Sequence, residues 1–250
     1  MIRRVSIFVF LASFSDVFGQ SSIQALEAGQ DPNVLYRNEA TYKIFAHSRG
    51  VGFGYRRAKH VTGKSKSLLE FEGLTLKHPK EIKVTGTTEQ GKRFIYGKVN
   101  SVGLIRCAAG MQHTIYSRAD KKSIEIRCSY LAGLTFAFAK PYYVAVYRGK
   151  GFINSKPTYI KYDSEILTQD SVVGRGPFIN GIDEIKIYPG LTGKFNISFE
   201  YSAYSNWVRA IETGVACDYF PKALPIMAKN PAENFVVTLY VGFVFGKKWF

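Results

Sequence analysis

Cysteine is nearly absent: Cys107, Cys128 and Cys217 are three in 250 residues, an odd count that excludes a complete disulfide framework. Cys107 and Cys128 flank the turn "SRADKK" and could meet across a hairpin, although a simple buried thiol is the favoured state. There is no C-x-x-C pair, no His/Cys cluster with ligand spacing and no Gly-rich phosphate loop, so the chain is expected to need no metal or nucleotide cofactor. Apolar runs of helical span length are missing beyond residue 19, which excludes a helical membrane span of ~20 residues. Amphipathic helical periodicity is scarce too, with "SIQALEAG" (22–29) the best candidate. Acidic residues are in short supply: 19 Asp and Glu face 34 Lys and Arg, a net charge of +15.

Against these absences, the first nineteen residues, "MIRRVSIFVFLASFSDVFG", have the make-up of a secretory signal peptide. Arg3 and Arg4 precede an apolar run from Val5 to Phe14, and Val17 and Gly19 supply small residues before a cut between Gly19 and Gln20. No cysteine follows the run, so no lipoprotein anchor is expected. Arg3, Arg4 and Asp16 leave with the peptide, which takes the net charge from +15 to +14. The remaining cations form no stripe interleaved with aromatics, as nucleic-acid binding would require. They gather at segment ends and in connections, as at Arg56, Arg57, Lys59, Lys64 and Lys66 or Lys77, Lys80 and Lys83. For an exported chain the acidic partners within reach are outer-membrane lipid and anionic glycolipid, with other envelope proteins as further partners and no nucleic acid.

What recurs along the chain is alternation. In "NFVVTLYVGFVFGKKWF", the last seventeen residues, Phe235, Val237, Leu239, Val241, Phe243 and Phe245 share one face. The other face carries Val236, Thr238, Tyr240, Gly242, Val244 and Gly246. Between 123 and 143, Ile124, Ile126, Cys128, Tyr130, Ala132, Leu134, Phe136 and Phe138 oppose Glu125, Arg127, Ser129, Leu131, Gly133, Thr135 and Ala137. A third case, 185–201, sets Ile187, Leu191, Phe195, Ile197 and Phe199 against Lys186, Tyr188, Thr192, Lys194, Ser198 and Glu200. Such segments exceed the ~5–6 residues of ordinary sheets and cover the ~9–11 needed to cross a bilayer at a tilt. Together with the export signal they predict an all-β fold: a transmembrane antiparallel up-and-down β-barrel whose apolar face meets lipid. The expected organisation is a signal peptide over 1–19, a periplasmic N-terminal segment over 20–39 and a barrel over 40–250 with a long connection at 144–184.

Seven strands are visible in the pattern, at 41–57, 67–77, 93–116, 123–143, 185–201, 207–220 and 235–249. Bacterial single-chain barrels have an even number, so eight are expected, with the missing one placed in 144–184 around "KPTYIKYDSEIL"; ten would follow if the third or fourth segment were split. In the first segment Tyr42, Ile44 and Ala46 share one parity, whereas Val51, Phe53 and Tyr55 take the other, which a bulge near His47–Gly50 would reconcile. The alternating Gly50, Gly52 and Gly54 leave room for a bulky neighbour in the lumen.

Strand parity turns Arg56, Glu70, Glu72, Glu125, Arg127, Lys186, Lys194, Glu200, Glu212 and Asp218 inward. Eight strands enclose a volume that side chains fill, and unpaired charge there is costly, so a closed lumen with a paired charge network is expected. Tyr142, Tyr143, Trp207, Tyr219 and Trp249 lie at strand ends, where interfacial aromatics belong; Phe250 falls one residue off the outward parity. The prolines of "KHPKE" and "FPKALPIMA" suggest loops, and His78, Pro79, Lys80, Pro221 and Lys222 are candidate interaction residues. Catalysis has raw material in His47, His60, His78 and His113, but none has a nucleophile placed for it by sequence spacing, and no catalytic residue is assigned.

The run "FAHSRGVGFGYRR", "LEFEGLTLKHPKEIK", "YGKVNSVGLIR", "LAGLTFAFAKPYYV", "GIDEIKIYPGLTGKFNISFEY", "AIETGVACDYFPKALPIMA" and "LYVGFVFGKKW" resembles a family of small exported outer-membrane barrel proteins of the Bacteroidota. The resemblance spans about residues 25–249. It implies fold and location, a bacterial outer membrane, and transfers no catalytic residue because the family has no established activity. Members are expected to carry "HTNG" where this chain has His47, Ser48, Arg49 and Gly50, and to stop at Trp249. The expected function is a non-enzymatic structural or accessory subunit of a cell-envelope complex. The alternatives are a small-solute or lipid-handling barrel and a lipid-modifying outer-membrane enzyme.

Overall fold

A strand that is apolar on one face for 10 to 18 residues must bury that face or turn it to a non-aqueous solvent, and its backbone needs partners on both edges. The chain meets the second demand by ring closure. The computed structural model describes residues 36–86, 93–117, 123–146, 157–162, 172–202, 206–228 and 230–250. The signal peptide, the segment up to residue 35 with its helix candidate, and much of "KPTYIKYDSEIL" lie outside them.

Eight long strands make the ring: β1 (Asn38–His47), β2 (Gly50–Thr62), β3 (Ser65–Leu76), β6 (Asn100–Tyr116), β7 (Glu125–Pro141), β11 (Lys186–Glu200), β12 (Trp207–Leu224) and β13 (Glu233–Trp249). Each pairs antiparallel with its neighbour in the chain, and β13 pairs with β1 to close the barrel. Among the described residues five short strands stand outside the ring. They are β4 (Lys83–Val84) with β5 (Phe94–Ile95), and a three-stranded sheet of β8 (Tyr143–Val146), β9 (Thr158–Lys161) and β10 (Val172–Arg175).

Eight strands are present, but the eighth is not in 144–184. The first segment is two strands joined by a tight turn at Ser48 and Arg49, with His47 opposite Gly50 and Ile44 opposite Phe53. A bulge and a two-residue turn both exchange the parity of the outward residues, so the change from Tyr42, Ile44 and Ala46 to Val51, Phe53 and Tyr55 fits either. Backbone geometry distinguishes them. Gly50 has φ +152°, and a Cβ there would meet the Thr75 carbonyl oxygen at 2.4 Å, so only glycine leaves the turn in this direction. The 144–184 region instead supplies β8, β9 and β10 beyond the barrel rim.

Connections at the two ends differ in length. The end that holds both strand termini, Asn38 and Trp249, has the connections 63–64, 117–124 and 201–206. The opposite end has 48–49, 77–99, 142–185 and 225–232. There, Phe94, Tyr142, Val144, Val146, Tyr162 and Val172 pack as a separate small core. The Tyr142 hydroxyl accepts the Ile95 N–H (3.2 Å) and the Tyr162 hydroxyl accepts that of Gly97 (3.0 Å). Tyr142 is therefore a buried structural residue of the connections, a correction to its expected place among interfacial aromatics. Pro221 and Lys222 are corrected as well: they lie within β12, not in a loop. Pro221 is tolerated because the β12 register shifts between Tyr219 and Leu224, where no ladder hydrogen bond needs its N–H; Asn234 Nδ2 donates to the Phe220 carbonyl across this irregularity (2.8 Å).

Outward residues are apolar nearly throughout. Leu239 is 64% exposed, and Phe53, Phe195, Ile211 and Phe243 likewise point away from the lumen. All three cysteines are free and lie on outward parity; Cys107 faces Leu134 and Cys128 faces His113, so register, six residues along the ladder, separates the two. Trp207, Tyr219 and Trp249 are exposed at strand ends, and Trp249 continues the outward parity of Phe245 and Lys247. Phe250 lies beyond β13, 76% exposed, with its ring 5.1 Å from that of Tyr36. Trp249→Ala is expected to lower the yield of folded, heat-modifiable barrel more than deletion of Phe250 does, as read by gel mobility of membrane fractions; the reverse order would place the girdle residue wrongly.

Candidate functional site

The interior is stacked in layers that follow from strand parity. Toward the long connections Phe45, Leu74, Leu76, Val102, Leu104, Phe220, Leu224, Ile226 and Tyr240 form an apolar plug. Phe45 fits because its cross-strand neighbours are Gly52 and Gly242, where a Cβ would come within 2.4 and 2.6 Å of it. Ile226, just past β12, is drawn into the plug, and Asn100 Nδ2 donates to the Pro225 carbonyl at 2.6 Å. This layer closes the barrel at that end.

Below it lies the charge network. Arg56 reaches both oxygens of Glu212, at 2.9 and 2.7 Å, and donates from Nε to Glu70 at 2.5 Å. Lys43 stands 3.2 Å from Glu212 and also contacts Glu70 and Glu72, and Lys194 bridges the same two glutamates. The Tyr240 hydroxyl donates to Glu212 (3.0 Å), and its ring lies under the ammonium groups of Lys43 (5.0 Å) and Lys194 (4.7 Å). Arg106 grips Asp218 through two parallel bonds, 3.0 and 2.6 Å, and reaches Glu72 at 3.3 Å. Nearer the termini a second group joins Glu39 to Lys66 (2.5 Å) and Arg127 (3.4 Å), Arg127 to Glu125 (2.7 Å) and Glu200, and Lys248 to Glu200 (2.6 Å).

Of the inward residues read from parity, Arg56, Glu70, Glu72, Arg127, Lys194, Glu200, Glu212 and Asp218 are buried in this network, and Glu125 lies at its edge. Lys186 is a correction. Its parity is inward, but it is the first residue of β11, paired with Ala139 of β7 before the β11–β12 ladder starts at Leu191, and is exposed. Five members escaped the sequence reading: Glu39, Lys43, Lys66 and Arg106, which are buried, and Lys248 at the edge. Glu39 and Lys66 precede the expected strand starts, and Lys43 shares a face with Thr41 and Phe45 that the bulge reading left unassigned. Arg106 lies on β6, whose outward residues include Gly103, Cys107 and Ala109, so the alternation there is faint. The buried set comprises six cations (Lys43, Arg56, Lys66, Arg106, Arg127, Lys194) and six carboxylates (Glu39, Glu70, Glu72, Glu200, Glu212, Asp218). In this interior each of these cations stands beside a carboxylate and each carboxylate beside a cation.

At the connection end Glu233 ties three segments together. Arg49 donates two bonds to it, 2.5 and 3.1 Å, while His78 Nε2 lies 3.1 Å away. Lys80 bonds Asn230 (3.1 Å), so His78, Pro79 and Lys80 are held against the β12–β13 connection. Tyr143 donates to Glu184 (2.6 Å), and that bond, with Lys161 at 3.3 Å, holds the Glu184 carboxyl below the usual carboxylate range. Phe178, Ile179 and Ile182 are exposed beside them, with Lys140 donating to the Phe178 and Asn180 carbonyls at 2.6 and 3.0 Å.

One histidine does sit beside a hydroxyl. His113 Nδ1 is 2.9 Å from Ser65 Oγ and its Nε2 is 3.1 Å from the Tyr130 hydroxyl, on the outer wall near the termini. Ser65 and His113 are direct cross-strand partners, so the spacing follows from register alone. The flanking backbone of β6 is paired in the ladder with β3 on one side and β7 on the other. Among the described residues, no three His, Cys, Asp or Glu side chains gather as a metal site requires.

Neither a protein-family model nor a curated protein matches the chain. Among solved structures it is similar to Neisserial surface protein A, with TM-score 0.41, 9% identity, 89% of this chain and 100% of that one covered. It is also similar to the attachment invasion locus protein Ail of Yersinia pestis, with TM-score 0.40 and 8% identity over 86% of this chain and 100% of that one. The N-terminal β-barrel domain of Pseudomonas aeruginosa OprF gives TM-score 0.36 and 9% identity over 84% and 100%.

Glu212 touches both Arg56 and Lys43, so Glu212→Gln leaves two buried cations short of charge. Its unfolding free energy in urea titrations of vesicle-reconstituted protein is expected to fall by about 3 kcal/mol, with part of the loss recovered when Arg56→Gln is added. An unchanged stability would show that the network does not hold the barrel.

Proposed function

We propose that this chain is an integral outer-membrane β-barrel protein serving as a non-enzymatic structural or accessory subunit of a cell-envelope complex. The observation that carries this reading is the inside-out distribution of its side chains: the charges of the barrel centre pair within the lumen while the long apolar faces turn outward. On β13 the outward face is apolar from Phe235 to Phe245. At ~3.3 Å per residue and a tilt of ~40° that length spans a height of ~25 Å, the apolar band of an outer-membrane barrel. The signal peptide read in residues 1–19 and the resemblance to exported Bacteroidota barrels support the same location.

With the interior filled, function falls to the ends. The connection end presents an ordered surface with exposed Phe178, Ile179 and Ile182 among Lys140, Lys161 and Lys186. Apolar anchors inside a cationic rim suit a protein partner or the anionic glycolipid of the outer leaflet. In a native-level strain the chain is expected to fractionate with outer membranes and to co-purify in mild detergent with a stoichiometric envelope partner. A partner-free monomer under those conditions would overturn the accessory role. Planar-bilayer recordings should give no stable porin-sized conductance; such a conductance would instead favour a small-solute barrel.

A further inference from the structure

The outer wall is asymmetric in charge. Among the described residues every carboxylate of the eight barrel strands points into the lumen except Glu233, which lies at the connection end. At the terminus end Arg57, Lys59, Arg209 and Lys247 point outward and are exposed. No described carboxylate pairs with them.

Three of these cations surround one spot. Ala40 of β1 is the direct cross-strand partner of Arg57 on β2 and of Lys247 on β13, and the next outward residue, Asn38, has Lys59 and Trp249 as partners in the same way. Neighbouring strands are ~5 Å apart, so Arg57 and Lys247 start ~10 Å from each other with only a methyl group between them, and long side chains from both can converge on one small anion. The Lys247 ammonium rests 4.7 Å from the ring of Trp207 on β12, the side of β13 away from Ala40, and meets an anion over Ala40 by swinging back across β13. Indole rings at a barrel rim mark headgroup depth, and they set these cations at the level of lipid phosphates. One step toward the barrel centre the wall becomes aromatic and apolar: Tyr42 packs against Tyr55 (5.3 Å) and Phe245 (5.9 Å), then Ile44 lies between Phe53 and Phe243. A headgroup notch with a greasy wall directly above it has the outline of a lipid.

We propose that the β2–β1–β13 seam at the terminus end is a binding site for one anionic phospholipid, with its phosphate over Ala40 between Arg57 and Lys247 and an acyl chain along the Tyr42 face. Because barrel termini face the periplasm, the ligand belongs to the inner leaflet, a different lipid from the glycolipid outside. The inference rests on the outer-membrane reading above. Arg57 supplies a forked donor to phosphate oxygens and Lys247 a mobile point charge. Among the described residues no outward carboxylate stands near them to oppose the attraction.

The test uses the mature chain in phosphatidylcholine nanodiscs doped with phosphatidylglycerol, with retained lipid read by native mass spectrometry after release into mild detergent. Phosphatidylglycerol should be retained about tenfold over phosphatidylcholine, given the contribution of each cation near a membrane surface. Arg57→Gln with Lys247→Gln should abolish that preference. Ala40→Phe, which keeps every charge but fills the notch, should abolish it as well, while Lys186→Gln with Lys222→Gln at the other end should leave it intact. Heat-modifiable mobility confirms folding of each variant, and should the charge variant not fold, Ala40→Phe decides alone. A preference that survives Ala40→Phe would reduce the site to diffuse attraction and overturn the proposal, as would equal retention of both lipids by the native chain. A chain that does not enter bilayers at all refutes the membrane reading instead, so the two failures are distinguishable.

Discussion

Ring closure brings six cations and six carboxylates into an interior too narrow to keep them hydrated, and the rest of the structure is arranged around their need for one another. An ionised group in such a place is tolerable only with an opposite charge at hydrogen-bond distance. Several pairings therefore double as cross-links: Glu212 of β12 to Arg56 of β2, Asp218 of β12 to Arg106 of β6, Glu72 of β3 to Lys43 and Lys194. These bonds join strands that are not neighbours in the sheet. They supply the internal cohesion that a soluble protein takes from an apolar core, which here is confined mainly to the plug around Phe45 and Phe220.

The same requirement sorts charge between the two sides of the wall. With the carboxylates drawn inside to neutralise the lumen, the surplus cations of a chain with net charge +15 are left for the rims and connections. At the terminus end they stand among tryptophans on bare strand ends; at the opposite end they border a small core built on Tyr142 and Tyr162. One chain thus presents two cationic surfaces of different character. The first joins exposed cations to tryptophans, and the second sets exposed Phe178, Ile179 and Ile182 beside its cations. Between them lie the charge network and the apolar plug of the lumen.

Much of the wall was legible in advance because side-chain direction in a strand depends only on parity. The faces of β7, β11 and β13 read from Ile124–Phe138, Ile187–Phe199 and Phe235–Phe245 are the faces the structure shows. Parity also turned Glu70, Glu72, Glu212 and Asp218 inward. It failed where pattern and geometry are degenerate. A bulge and a two-residue turn exchange parity alike, so the eighth strand stayed hidden inside 41–57 until the backbone at Gly50 distinguished them. Arg106 was missed because small residues blur the alternation of β6, and Lys186 was over-read because parity says nothing about where the ring ends.

The sequence by itself determined an all-β chain with outward apolar faces and an interior of mixed charge, since composition and a period of two are local properties. Tertiary structure decided which strands exist, where the ring closes and which cation answers which carboxylate. Glu212 and Arg56 are 156 residues apart, and their meeting depends on the register accumulated around the barrel, to which every turn contributes. The notch at Ala40 belongs to the same class: its three cations come from β2 and β13, the strands on either side of β1, and only closure of the ring places them around one methyl group.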